Sequence, residues 1–206
     1  MYLTLVNNSF RYETENIIRI FFPLERIEPA DEVPVSGDCA VTKVSPDSVS
    51  AFVRVGAKEG ERRFFVAPGC PEKELERLCA LGVYQILSDI CGYTPPWGIL
   101  TGVRPSKLMR SLIASSSPEE ASDYFKEKLL VSDKKTRLAG EVARAEDKII
   151  SLSSPQSYSL YVSIPFCPTR CSYCSFVSHS VAQAKKLIPD YVRLLCGEIA
   201  RTGRIA

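Results

Sequence analysis

Three cysteines stand close together in the segment YVSIPFCPTRCSYCSF, residues 161–176. Cys167, Cys171 and Cys174 have a CxxxCxxC spacing and follow an apolar run that is typical of a buried strand. Thiolates are ligands for zinc and for iron–sulfur clusters. The segment could therefore hold a structural metal, form a disulfide or carry a reactive cluster, and this choice decides the function of the chain.

The remaining composition argues against a disulfide. The N-terminus lacks the basic start and apolar core of a secretory signal, and no apolar run approaches the roughly 20 residues that span a bilayer. We therefore expect a cytoplasmic protein, in which clustered cysteines bind metal or act in catalysis and scattered ones lie in the core. The scattered cysteines are Cys39, Cys70, Cys79, Cys91 and Cys196. Cys79 shares a helical face with apolar residues, which predicts burial, whereas Cys70 in PGCP is a candidate for an exposed thiol.

The charge pattern suggests no electrostatic partner. The 26 basic and 24 acidic residues give a net charge of +2 and are interleaved along the chain. No surface of one sign is predicted, so binding to nucleic acid or to a membrane is not expected.

Residues 1–95 predict an α+β domain that contains an antiparallel meander. The β-rich runs are separated by turn signals, and the apolar positions of the helices repeat at helical spacing. The expected strands cover residues 2–6, 39–45, 48–56 and 62–68, and the expected helices cover residues 15–23 and 71–91.

Residues 96–153 predict a turn-rich segment followed by a helical connector. The segment GYTPPWGILTGVRP contains Trp97, the only tryptophan, which we interpret as a packed anchor in preference to a substrate contact. Helices are expected over residues 105–114, 118–130 and 133–152. Ser117 and Glu120 form a capping-box pattern at the start of the second helix. One apolar stripe is predicted on the third helix, consisting of Leu138, Val142, Ala145, Ile149 and Leu152.

Residues 158–206 predict a strand over 158–165, the cysteine loop, and a helix that starts at Pro189 with Val192, Leu195, Cys196 and Ile199 on one face. This order is the first unit of a βα domain. An eight-unit barrel uses about 31 residues per unit, and only 49 residues run from Tyr158 to Ala206. We therefore expect either an N-terminal fragment of a longer enzyme or the product of a broken gene, and in both cases a chain that is inactive alone.

Zinc and an iron–sulfur cluster make different demands on this loop. Structural zinc needs a fourth ligand, and His179, the only histidine, could add one to the three thiols. A [4Fe-4S] cube held by three thiolates leaves one iron open for a chelating ligand. Chemistry in βα folds sits at the carboxyl ends of strands, where Cys167 begins, and this position favours the cluster.

The cysteine motif, with Tyr173 before its third cysteine, resembles the CxxxCxΦC signature of radical S-adenosylmethionine (SAM) enzymes, in which Φ is an aromatic residue. The longer stretch YVSIPFCPTRCSYCSF resembles the branch that contains oxygen-independent coproporphyrinogen III oxidase, also called coproporphyrinogen dehydrogenase. The upstream stretch PPWGILTGVRPSK is similar to the N-terminal extension of HemZ-type members of that branch. The implied fold is a partial radical SAM (α/β) barrel, truncated here after its first unit.

This resemblance implies a reaction and a set of site residues. Cys167, Cys171 and Cys174 would ligate a [4Fe-4S] cluster, SAM would chelate its open iron, and a reducing protein such as flavodoxin or ferredoxin would deliver the electron. Tyr173 and Phe176 match cofactor-binding positions, and Tyr161 matches a catalytic tyrosine. The implied substrate is a tetrapyrrole, coproporphyrinogen III, whose propionates lose carbon dioxide and become vinyl groups in haem biosynthesis.

Two positions depart from the pattern of this branch. Ser163 replaces the histidine of YVHIPFC, and Phe176 stands where the best-known oxidases have a fourth cysteine. A related branch binds haem as a chaperone without turnover, so a haem chaperone is the alternative function.

Overall fold

The computed structural model describes residues 1–102, 104–176 and 178–205. The chain forms two compact units, Met1–Ile150 and Ser151–Ala206. None of the helices in the described part of the chain is long and apolar enough to span a bilayer.

The first unit is built on a five-stranded mixed sheet with the strand order β2-β1-β3-β4-β5. Its strands are β1 (Tyr2–Val6), β2 (Glu28–Pro29), β3 (Cys39–Ser45), β4 (Ser48–Val55) and β5 (Lys58–Phe65). The predicted antiparallel meander is confirmed for β3, β4 and β5, whereas β1 runs parallel to both of its neighbours. A positive φ of 58° at Gly56 forms the tight turn between β4 and β5.

Two helices cover the sheet. They are α1 (Arg11–Phe21) and α2 (Glu72–Cys91), which bury apolar faces that include Ile17, Ile18 and Leu87. A Cβ added to Gly82 of α2 would lie 2.7 Å from the Cβ of Ala51 in β4. The glycine thus allows the helix to pack closely against the sheet.

Three further helices complete this unit: α3 (Pro105–Ser115), α4 (Pro118–Asp123) and α5 (Asp133–Ile150). The Oγ of Ser117 accepts a hydrogen bond from the Glu120 amide at 3.1 Å, which confirms the predicted cap. After α4 the chain continues as a π-helix, Tyr124–Lys128.

The apolar stripe predicted on α5 is wrong. Leu138, Val142, Ala145, Ile149 and Leu152 are all exposed. The buried face consists of Thr136, Ala139, Gly140 and Ala143. Helix α5 packs mainly against α3, and the residues that it buries are small, whereas its larger apolar side chains stay outside.

The turn-rich segment is attached to the helices on both sides. The Tyr84 hydroxyl donates to the Pro95 carbonyl at 2.8 Å, and the Ile99 amide donates to the Leu129 carbonyl at 2.9 Å. Trp97 packs against the core, with Lys135 Nζ 5.2 Å from its ring centroid. The anchor interpretation of Trp97 is confirmed by this packing.

The second unit contains a two-residue parallel ladder and a long helix. Strand β6 (Phe166–Cys167) pairs with β7 (His179–Ser180). These are followed by α6 (Val181–Ala184), a 3₁₀ turn at Lys185–Leu187, and α7 (Ile188–Ile205).

The strand predicted over residues 158–165 is absent from this unit, because that segment is extended but forms no ladder and exposes most of its side chains. An apolar strand of a parallel sheet requires hydrogen-bonded neighbours on its flanks. Within the described residues the unit supplies only the β6–β7 pair. The helix predicted from Pro189 is confirmed, but its expected apolar face is not buried. The opening of a barrel stays a prediction.

Candidate metal centre

The cysteine loop is held together at its base. The β6–β7 ladder joins residues 166–167 to residues 179–180, and the His179 amide donates to the Pro165 carbonyl at 2.8 Å. The Phe166 ring contacts the Tyr191 ring edge to face, with centroids 5.1 Å apart. Both ends of the loop are therefore fixed to one another, and the first cysteine belongs to the ladder itself.

The three loop thiols are accessible. Cys167 and Cys174 are half-buried and Cys171 is exposed, and none of the chain's eight cysteines forms a disulfide. A backbone turn joins the second and third cysteines, because the Cys174 amide donates to the Cys171 carbonyl at 3.1 Å. The loop thus presents three free sulfur ligands on one short piece of chain.

The three cysteines fit an iron–sulfur cluster in number and chemistry, but their sulfur atoms do not converge on one point. Within the described ranges, no group of three or more His, Cys, Asp or Glu side chains is arranged to hold a metal ion. Thiolates repel one another until a metal neutralises them, and metal binding commonly orders its own ligands. The fixed base and the free interior of the loop suit closure around a cluster.

A polar cavity of about 230 Å³ lies beside the first cysteine. Its lining includes Cys167, Arg170, His179 and Gln183, but neither of the other two loop cysteines. The exposed His179 pairs with Phe166 in the ladder and so belongs to the loop base. Like the three thiols, it belongs to no metal-holding group in the part of the chain described.

The aromatic residues assigned by resemblance lie on the surface of this unit. Tyr161 is 79% exposed, Tyr173 is 88% exposed and Phe176 is 72% exposed. Tyr173 and Phe176 lie in the loop, whereas Tyr161 lies in the extended segment before it. Their large exposed rings are free to contact a ligand, and their assigned roles stay predictions.

The loop has an anchor that the sequence reasoning missed. The Tyr191 hydroxyl of α7 donates a hydrogen bond to the Ser163 backbone carbonyl. Together with the Phe166 ring contact, this bond ties the extended segment and the loop base to one helix. The only sequence signal was an aromatic residue in the first turn of the helix.

The scattered cysteines differ chemically from this loop. Burial raises the pKa of the Cys79 thiol to about 12, and burial also raises the pKa of Cys39. Both thiols are fully buried, as expected for core cysteines. Cys91 and Cys196 are exposed, so the expectation that scattered cysteines lie in the core is wrong for these two, and Cys70, the candidate for an exposed thiol, is half-buried.

One comparison with known proteins finds a relative. The chain is 30% identical over 182 residues to the oxygen-independent coproporphyrinogen-III oxidase-like protein HemZ of Bacillus subtilis (strain 168). The match covers 81% of this chain and 35% of the relative, so the chain spans about a third of that protein's length. No family model matches the chain, and no solved structure shows a significant match.

Proposed function

From the resemblance to a HemZ-type protein, confirmed by that match, we propose that this chain is part of a radical SAM enzyme of haem biosynthesis. Its reaction would be the oxygen-independent oxidative decarboxylation of coproporphyrinogen III to protoporphyrinogen IX. The observation that carries the proposal is the loop with three free, accessible thiols in a chain homologous to a coproporphyrinogen oxidase-like protein. A cytoplasmic location and a reducing protein partner, such as flavodoxin or ferredoxin, complete the proposal.

Cys167, Cys171 and Cys174 would hold a [4Fe-4S] cluster. A reduced cluster there would supply the electron that splits SAM into methionine and a 5′-deoxyadenosyl radical, and this radical would remove a hydrogen atom from a substrate propionate. Tyr173 and Phe176 would contact SAM with their exposed rings, and Tyr161 would act on the substrate. The loop base, anchored by Tyr191, holds the two ends of the loop together before the cluster binds.

Cluster binding is tested first, by anaerobic reconstitution with iron and sulfide followed by electron paramagnetic resonance of the reduced protein. Serine substitutions at each of the three loop cysteines should abolish the signal of a low-potential cluster. Cys196→Ser removes an exposed thiol from α7 in the same unit and is the matched control. An unchanged signal in all three loop variants would refute the assignment.

The reaction is tested with the protein encoded by the whole reading frame. We expect 5′-deoxyadenosine and vinyl products when the reduced protein is incubated with SAM and coproporphyrinogen III without oxygen. SAM cleavage without any change in the porphyrinogen would reject this substrate and retain the radical chemistry. Stable haem binding without turnover would instead identify a haem chaperone.

A further inference from the structure

A second cavity, of about 300 Å³, lies between α3 and α5 in the first unit. Three basic residues, Arg104, Lys107 and Arg110, line it together with Ser106, Glu146, Ile149 and Ile150. The basic residues recur every three positions along the start of α3, so they share one side of the helix. The cavity is thus basic on its α3 side and apolar at the end of α5.

The basic side chains of this cavity outnumber the carboxylate of its lining, Glu146. No salt bridge joins any of them to a carboxylate among the described residues. Glu146, the acidic residue of the lining, instead accepts a hydrogen bond from the Ser106 hydroxyl at 3.1 Å. The lining therefore has a net positive charge, which favours an anion.

Two further features of the cavity also favour an anion. Arg110 is half-buried in the lining, and its guanidinium Nη1 atom has no hydrogen-bond partner in the described part of the chain, so the side chain keeps unused donor capacity. In addition, α3 begins here without a side-chain cap and without an acidic residue in its first turn. The positive end of its dipole is therefore open to a negative ligand.

The α5 side of the cavity adds an apolar surface. Ile149 and Ile150 line the cavity, and both are exposed. Leu138, Val142 and Ile149 lie at helical spacing on one exposed side of α5. A ligand with a carboxylate at α3 and an apolar body along α5 would cover both surfaces, whereas a small hydrated anion would cover only the first.

We infer that this cavity binds the propionate-bearing edge of a tetrapyrrole. The identity of the ligand rests on the proposed function, because a tetrapyrrole is a flat apolar ring system that carries carboxylates at its rim. A volume of about 300 Å³ is at the lower end for a small-molecule site. The cavity thus holds one side chain and part of its ring, with Arg110 and Lys107 at the carboxylate.

The test is a fluorescence titration of the 206-residue chain with coproporphyrin III, the stable oxidised form of the substrate. Arg110→Gln and Lys107→Gln should each weaken binding by about tenfold, as expected when a charged hydrogen bond is lost. The matched control is Arg137→Gln, which removes an exposed charge from α5 outside the cavity lining and should leave the affinity unchanged. Lys107 is exposed, so its variant folds even if Arg110→Gln does not.

Two outcomes would overturn this inference. Equal porphyrin affinity in both cavity variants and in the control would place the ligand elsewhere. Displacement of the porphyrin by inorganic phosphate at equally low concentration would identify a site for a free anion. The titration needs neither iron nor SAM, so its failure is distinguishable from failure of the cluster proposal.

Discussion

The substitution Gly98→Ala tests how the turn-rich segment is attached to the helices. Gly98 has a positive φ of 57°, and a Cβ at this position would lie 1.9 Å from the Leu129 carbonyl oxygen and 2.5 Å from the Leu130 carbonyl carbon. These contacts involve backbone atoms, so no side-chain rotation relieves them. The segment must move away from the end of the π-helix.

The expected loss of stability has three parts. A left-handed conformation costs alanine about 1–2 kcal/mol, and forced overpacking costs about 1–3 kcal/mol. Movement of the segment also breaks the hydrogen bond from the Ile99 amide to the Leu129 carbonyl, which is worth about 1 kcal/mol. The free energy of unfolding should therefore fall by about 3–6 kcal/mol, a large part of the total for a typical domain.

Gly92→Ala is the matched control for this substitution. Gly92 also has a positive φ, 63°, but an added Cβ would meet no atom within 4 Å. The free energy of unfolding of Gly92→Ala should therefore fall only by the conformational cost of about 1–2 kcal/mol. Urea unfolding followed by circular dichroism and by Trp97 fluorescence measures both variants. Equal losses in the two variants would refute the claim that the segment is locked against the π-helix.

Three further outcomes are expected. Ser117→Ala should lower the free energy of unfolding by about 1 kcal/mol in urea, because the Glu120 amide loses its cap. Since burial raises the pKa of Cys79 from 9.0 to about 12, its neutral thiol stabilises the fold fully below pH 9. That contribution to the free energy of unfolding should decline as pH rises from 9 towards 12. When the free energy of unfolding is measured against pH, Cys79→Ala should lose less stability over this range than the unchanged protein. Tyr191→Phe, which removes the hydrogen bond to the Ser163 carbonyl, should speed amide hydrogen exchange in the extended segment, and unchanged exchange would reject the anchor.

The sequence predicted the meander well because its signals are local. Strands β3, β4 and β5 alternate around short turns, and the predicted bounds of β3 agree with the structure. Strand β2 has only two residues, one of them Pro29, and carries no pattern of its own. Its pairing with β1 is a long-range contact that periodicity does not reveal.

The α5 error has a different cause. A hydrophobicity pattern assigns the buried face to the largest apolar residues, whereas the face that α5 buries contains the small residues Ala139 and Ala143. Small side chains allow helices to pack closely, so the size of the residues, rather than their hydrophobicity, identifies the buried face of α5. Ile149, which was predicted to be buried, is exposed and lines the cavity between α3 and α5.

The candidate metal centre was predictable only as a set of ligands. The spacing of Cys167, Cys171 and Cys174 placed three thiols on one loop, and the structure leaves all three free. Metal-binding loops commonly gather their ligands only when the metal binds, so the spacing alone does not predict how the thiols are arranged. The segment before the loop forms no strand. A strand needs hydrogen-bonded neighbouring strands, and none pairs with this segment among the described residues.

The most direct test of the central claim is the iron, sulfide and zinc content of the chain after anaerobic reconstitution. The account predicts about four irons and four sulfides per chain, retained in Cys196→Ser and lost in Cys171→Ser. Stoichiometric zinc in place of iron would contradict the account, as would iron and sulfide that remain unchanged when Cys171 is replaced.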